Sequence, residues 1–132
     1  MKKILITGQN SYIGTSIENW LLNQVEKYIV DTIDMKDKNW SDNDFSKYDS
    51  IFHVAGIAHV SSDPSKKNLY YHVNRDLTVK TAKKAKAEGV NQFIFMSSII
   101  VYGESSQINN EYIIDKETEP DPQDFYGDSI CR

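Results

Sequence analysis

The chain begins with an apolar run, Lys3 to Thr7, which gives way to a glycine-containing turn and then to a helical rhythm. Ile13, Ile17, Leu21 and Val25 recur every fourth residue and line one face of an amphipathic helix. Tyr28 to Met35 reads as a second strand, and Lys36 to Tyr48 as a polar loop with room for a short third strand. Ser50 to Ala55 has the character of a buried strand, stopped by Gly56. After Pro64 a long helix is predicted, with Leu69, Val73, Leu77 and Thr81 on one face, lysines near its end and Gly89 as its stop. Gln92 to Ser98 makes a further strand. Strands that alternate with helices and are apolar on both faces predict an α/β fold, a parallel sheet with flanking helices, in one domain over 1–132.

Composition narrows the picture. With 132 residues and 39% apolar content the chain is long enough for one packed core. No apolar run approaches the roughly 20 residues of a membrane span. The net charge of −4 is uneven: residues 103–132 hold eight acids and two bases, in a loosened stretch with Pro120 and Pro122. A mildly acidic chain without a basic face argues against nucleic acid as the main partner. The single cysteine, Cys131, allows no internal disulfide and fits a cytoplasmic location.

Candidate chemistry starts at Thr7-Gly8-Gln9-Asn10-Ser11-Tyr12-Ile13-Gly14, between the first strand and the first helix. Backbone N–H groups and the helix dipole at such a junction favour an anion, and a pyrophosphate fits there. Gly8 permits the tight turn and Gly14 lets the helix pack on the strand, while Ser11 stands where a dinucleotide fingerprint has its middle glycine. Asp34, at the end of the second strand, can accept hydrogen bonds from the adenosine ribose and would repel a 2′-phosphate, which favours NAD over NADP. Asp31 competes for that role from the opposite face; Asp34 is preferred because it closes the strand. The cofactor-contacting candidates here are Gly8, Asn10, Tyr12, Ile13, Gly14 and Asp34. A plain strand-to-helix turn followed by a surface acid would leave a similar trace.

Three further blocks, His53-Val54-Ala55-Gly56-Ile57-Ala58-His59, Asn74-Arg75-Asp76-Leu77-Thr78 and Ser97-Ser98-Ile99-Ile100-Val101-Tyr102-Gly103, follow in order, with Pro122-Gln123-Asp124-Phe125-Tyr126-Gly127-Asp128-Ser129 after them. Together with the first motif they make the chain resemble the N-terminal half of the extended short-chain dehydrogenase/reductases, in the NAD-dependent epimerase/dehydratase branch that acts on nucleotide sugars. The form of the motifs is most similar to UDP-glucose 4-epimerases. The resemblance implies a Rossmann-like sheet, NAD as cofactor and a UDP-sugar as the substrate of a full-length member. It also implies that Val54, Ala55 and Gly56 flank the dinucleotide, that Ser98 orients the reacting sugar hydroxyl, and that Tyr126 removes its proton while hydride passes to NAD. Ser97 is the alternative to Ser98. Asn74 is either support for the strand ends or a helix asparagine with a merely structural bond.

Other residues carry less. His53, inside a strand, reads as a satisfied core or edge residue, His72 as a helix-surface residue, and His59 as able to reach a substrate phosphate. No grouping of these with carboxylates or Cys131 has metal-ligand spacing, so no metal is expected. Trp20 and Trp40 are expected to pack, Trp40 lying where the family's third-strand region meets adenine.

The resemblance breaks at one position. The family's Tyr-x-x-x-Lys places a lysine four residues after the tyrosine, and Ile130 stands there. A phenol without a neighbouring cation has a pKa of about 10, so about one in a thousand is ionised at neutral pH. The expectation is therefore a truncated epimerase/dehydratase that binds NAD but is catalytically incompetent, without the lysine helix, the later strands and the sugar-nucleotide region. The alternatives are a non-catalytic dinucleotide-binding module that buries its open sheet edge in a homo-oligomer, or an NAD(P)-dependent reductase.

Overall fold

The computed structural model describes residues 1–24, 26–58, 62–103 and 113–132; Val25 and His59, both singled out above, lie outside them. The chain divides into two compact units, Met1–Gly56 with Asp76–Met96, and Ile57–Arg75 with Ser97–Arg132.

The first unit holds strand β1 (Lys2–Thr7), helix α1 (Tyr12–Leu22), β2 (Tyr28–Ile33), β3 (Ser50–His53), helix α3 (Thr78–Ala87) and β4 (Gln92–Phe95). The four strands form one parallel sheet in the order β2-β1-β3-β4. This is the Rossmann-like arrangement of a parallel sheet with flanking helices. The central strands are apolar because both of their faces are covered. Leu5 and Ile51 cluster with Phe45, Tyr48 and Ala85 of α3, and Ile6, which alternation sends to the opposite face, is equally inaccessible. Full burial of side chains such as Leu5 and Ile51 contributes roughly 2 kcal/mol each.

The second unit holds helix α2 (Lys67–Tyr70), a 3₁₀ turn at Ile99–Tyr102 and helix α4 (Phe125–Cys131). A π-helical turn, Tyr71–Leu77, lies between α2 and α3, and the division between units falls within it.

Several expectations change. The sheet is apolar on both faces only at its centre: Ile29 and Asp31 of β2 and Ile94 of β4 are exposed, as edge strands allow. No third strand forms between Lys36 and Tyr48; a 3₁₀ turn, Trp40–Asp42, is found instead. The carboxylates of Asp34 and Asp37 accept the N–H groups of Lys36 and Asn39, so this backbone is satisfied locally and has little left for a ladder. Ser50–His53 is accordingly the third strand. The stripe Leu69, Val73, Leu77, Thr81 is not one buried face: Leu69 is 48% exposed, whereas Tyr70, Asn74, Thr81 and Ala85 are buried. A π turn takes more residues than an α turn, so a count of fours run through it loses phase. Trp40 packs beside Phe45, with ring centroids 6.4 Å apart, but Trp20 is 59% exposed. The stretch after Pro122 is not without a helix: α4 carries both Tyr126 and Ile130.

Candidate functional site

In the first unit the glycine turn is built from the ends of three strands. The N–H groups of Gly8 and Gln9 both donate to the carbonyl of Ile33, each at 3.0 Å, which hangs the turn on the last residue of β2. Asp34 is the next residue along. Gly8 has φ +112°, and a Cβ there would stand 2.9 Å from Cγ2 of Val54 and 3.0 Å from the Ala55 nitrogen. Asn10 also turns left-handed, at φ 63°, a conformation that asparagine tolerates better than most side chains. Gly8, Asn10, Asp34, Val54 and Ala55, scattered in sequence, are thereby gathered at the carboxyl edge of the sheet.

Helix α1 starts from this turn. Ser11 is its N-cap, with Oγ accepting from the Gly14 N–H at 3.0 Å, and no acidic residue occupies the first turn. Among the described residues no acceptor meets the N–H of Tyr12 or Ile13. A pyrophosphate fits such an end: the donors are present, the dipole is positive and nothing negative opposes it. Tyr12 is 89% exposed, so its side chain is not spent on the core.

The two candidate acids are distinguished by their partners. Asp31 Oδ2 accepts from the buried Tyr48 hydroxyl at 2.7 Å. Burial, and then the carboxylate beside it, push that hydroxyl well above its usual pKa, so it remains a donor to Asp31. Asp34 is exposed past the strand end, and Oδ1 accepts the Lys36 N–H at 2.9 Å. The local bond orients Asp34 and leaves its other oxygen for a ligand.

His53, expected as a satisfied core or edge residue, is fully buried: Nδ1 lies 2.6 Å from Thr7 Oγ1 and Nε2 3.0 Å from Thr78 Oγ1. Burial lowers its pKa to about 4. His72 is exposed, as expected.

In the second unit Ser98 caps the 3₁₀ turn, Oγ accepting from the Ile100 N–H at 3.3 Å. That bond leaves its hydroxyl hydrogen unspent. Ser97 is exposed. Helix α4 starts from Asp124, whose carboxylate accepts the Gly127 N–H at 2.7 Å. A Cβ on Gly127 would approach the Ile100 carbonyl oxygen to 2.9 Å, so this glycine lets α4 lie against the turn that Ser98 caps. Ser98 and Tyr126 thus sit on two elements in contact. The Tyr126 ring meets Tyr70 edge-on at 5.8 Å.

Four residues to which the motifs assign no role, Tyr71, Asp128, Ser129 and Arg132, fasten α4. Tyr71 donates its hydroxyl to Asp128, and Arg132 donates to the other oxygen at 2.7 Å. These two bonds hold the Asp128 carboxyl below the usual carboxylate range. Ser129 is buried; its hydroxyl donates to the Tyr126 carbonyl at 2.8 Å and accepts from Asn74 Nδ2 at 3.1 Å. Asn74 also accepts the Ile57 N–H at 2.8 Å and donates to the Ile57 carbonyl at 3.1 Å. The block order offered a signal for Asn74; nothing local marked Tyr71. Asn74→Ala should cost about 3 kcal/mol in urea denaturation, since it strands the buried Ser129 hydroxyl and the half-buried N–H and carbonyl of Ile57. A cost under about 1 kcal/mol would deny Asn74 this bridging role.

Among the described residues no helix is long and apolar enough to cross a membrane. The chain is 31% identical to a UDP-glucose 4-epimerase of Vibrio cholerae over 144 aligned positions, covering 96% of this chain and 43% of that protein. It therefore spans less than half the length of this relative. Among solved structures, UDP-glucuronic acid 4-epimerase from Bacillus cereus in complex with NAD superposes with a TM-score of 0.76 at 22% identity, covering 98% of this chain and 48% of that one. RMD from Pseudomonas aeruginosa complexed with NADPH gives 0.77 at 20% identity, covering 99% of this chain and 46% of that one. At these identities the superpositions establish the fold. The decisive match is continuous from β1 into α4: the family model described as NAD dependent epimerase/dehydratase family aligns with residues 4–129, and the chain belongs to that family.

Proposed function

We propose that this chain binds NAD at the carboxyl edge of its sheet and derives from a nucleotide-sugar epimerase or dehydratase, but that as it stands it does not turn over. The observation that carries the binding half is the Gly8 turn, which is fastened to Ile33 and packed under Val54 with the α1 N-terminus open beside it. Gly8, Asn10, Tyr12, Ile13 and Gly14 line the pyrophosphate position, Asp34 takes the adenosine ribose, and Val54, Ala55 and Gly56 border the dinucleotide. When bound, NAD supplies a hydride acceptor. In a member of the family that keeps the lysine, the residues at the Ser98 and Tyr126 positions would hold the reacting hydroxyl of the sugar and receive its proton.

The catalytic half is weakened by Ile130, which offers neither charge nor hydrogen bond where the family pattern has its lysine. This favours a second reading, a dinucleotide-binding module whose work is association. Its support is the β4 edge, where Ile94 and Met96 are 42% and 43% exposed. A third reading is an NAD(P)-dependent reductase, since the Pseudomonas protein of the same fold is complexed with NADPH.

Calorimetric titration tests the binding half. Saturable NAD binding is expected, with NADP weaker by about tenfold because Asp34 opposes a 2′-phosphate; Asp34→Asn should narrow that gap. No binding at millimolar NAD overturns the reading. Interconversion of UDP-glucose and UDP-galactose is expected to stay at the uncatalysed level, and measurable turnover would remove the claim of incompetence. A dimer in sedimentation with no turnover favours the module, and net oxidation of NADH with a carbonyl substrate favours the reductase.

A further inference from the structure

We infer that His53 is a positioning residue for the nucleotide-binding edge, joining the end of β1 at Thr7 to the start of α3 at Thr78 and so holding the Gly8 turn against Val54 and Ala55. The inference rests on the NAD reading above and adds to it a residue that touches no cofactor.

Thr7 and His53 are register partners in the parallel β1–β3 pair. Each lies one residue upstream of a binding segment, Thr7 before Gly8 and His53 before Val54. The backbones are tied at the same level by the Val54 N–H donating to the Thr7 carbonyl at 3.0 Å. The space between the segments is fully used, since even a Cβ on Gly8 would stand 2.9 Å from Val54 Cγ2. A small rotation of Thr7 or His53 is therefore passed directly to the turn.

The imidazole is suited to hold both ends. A neutral ring has one nitrogen that donates and one that accepts, and a threonine hydroxyl does both. Thr7, His53 and Thr78 thus form one continuous chain of hydrogen bonds with both ring nitrogens used, at 2.6 Å and 3.0 Å. Phe93 and Phe95, with centroids 5.7 Å and 6.1 Å from the imidazole, border its plane. An apolar residue would fill the space but leave the buried Thr7 hydroxyl without the partner it has here. What the polar chain adds is direction: it fixes three elements relative to one another within the first unit.

The test compares His53→Phe, Thr7→Val and Thr78→Val with Thr81→Val, using the full chain. Thr81 is equally buried in α3 and loses one hydrogen bond, to the Leu77 carbonyl, without any link to the turn. The three chain variants should raise the NAD Kd by about tenfold or more, since displacements of about an ångström at a binding site can cost a hundredfold. Thr81→Val should lose comparable thermal stability and change Kd by less than about threefold. A loss of affinity that tracks stability equally in all four, or no loss in the three, overturns the inference. Should His53→Phe not fold, the two isosteric threonine variants decide alone. If the wild-type chain binds no NAD, the cofactor reading fails, and amide exchange separates the two claims. Faster exchange at Gly8 and Val54 in the three variants, but not in Thr81→Val, then supports positioning, and unchanged exchange overturns it.

Discussion

Gly8→Ala is expected to lower stability by about 3–5 kcal/mol and NAD affinity at least a hundredfold. Two independent penalties meet at this residue. A φ of +112° lies where L side chains are strained, at a cost of order 1–3 kcal/mol. The new methyl group also stands 2.9 Å from a Val54 methyl and 3.0 Å from the Ala55 nitrogen, which is backbone and cannot rotate away. Either the turn shifts off β3 or β3 shifts off β1, and each destroys the anion site. Gly89 provides the comparison. Its φ is +77° but nothing lies within 4 Å of a Cβ there, so Gly89→Ala should cost about 1 kcal/mol and leave NAD binding unchanged. Urea denaturation and calorimetry on the two variants check both. If Gly8→Ala is no worse than Gly89→Ala, the packing of the turn under Val54 does not matter to the fold.

The second large effect is an acid weakness set by His53. In the unfolded chain a histidine has a pKa near 6.5, and in the fold burial lowers it to about 4. Because the folded value is the depressed one, the unfolded chain takes up the proton first as pH falls. The full stability is present above pH 6.5 and is lost progressively down to about 4, at about 1.4 kcal/mol per pH step. The total loss is about 3 kcal/mol. Urea midpoints measured at pH 7, 5.5 and 4.5 should fall accordingly, and the slope should vanish in His53→Phe. The carboxyls held low by their partners, Asp44, Asp63 and Asp128, weaken the fold only at more acid pH, below their unfolded value of 3.8. Among the described residues with a shifted group, the interval from 6.5 to 4.5 therefore belongs to the His53 imidazole. A flat midpoint across it would mean that His53 takes up its proton as readily in the fold as in the unfolded chain.

Some of this was visible in the residues and some could not be. The strand–turn–helix from Lys2 to Leu22 was legible because its signals are local: an apolar run, a glycine and a four-residue rhythm. Ser50–His53 and Gln92–Phe95 are legible for the same reason, although they end two and three residues before the apolar pattern does. Position alone favours Asp34 over Asp31, and the reason it stands clear, Tyr48 occupying Asp31, comes from a residue seventeen positions away. The phase of the helix after Pro64 is not legible because a count of fours presumes uniform winding, which Tyr71–Leu77 does not have. Tyr71 and Asp128 were unmarked because they meet across 57 residues. The fastening of α4 is thus a tertiary fact, invisible to any local window. Gly127 was read as part of a motif, whereas its absent side chain is what the Ile100 carbonyl requires.

The cap of α1 also governs the routes by which this turn can change over evolutionary time. Ser11 Oγ grips the Gly14 N–H, and a Cβ on Gly14 would fall 2.6 Å from that same oxygen. The two positions are therefore not free to vary independently. Alanine at 14 forces a serine at 11 to swing its hydroxyl off the cap, and is eased once 11 has lost that oxygen, as in glycine. Even then the Gly8 carbonyl, 3.0 Å from that Cβ, keeps the step uphill. Losing the cap first costs only a few tenths of a kcal/mol, because glycine is itself tolerated at a helix N-cap. The permissive order is Ser11→Gly before Gly14→Ala, and the double variant should be less damaged than the sum of the two single ones. The serine that departs from the usual glycine fingerprint is, in this sense, a historical lock on its neighbour.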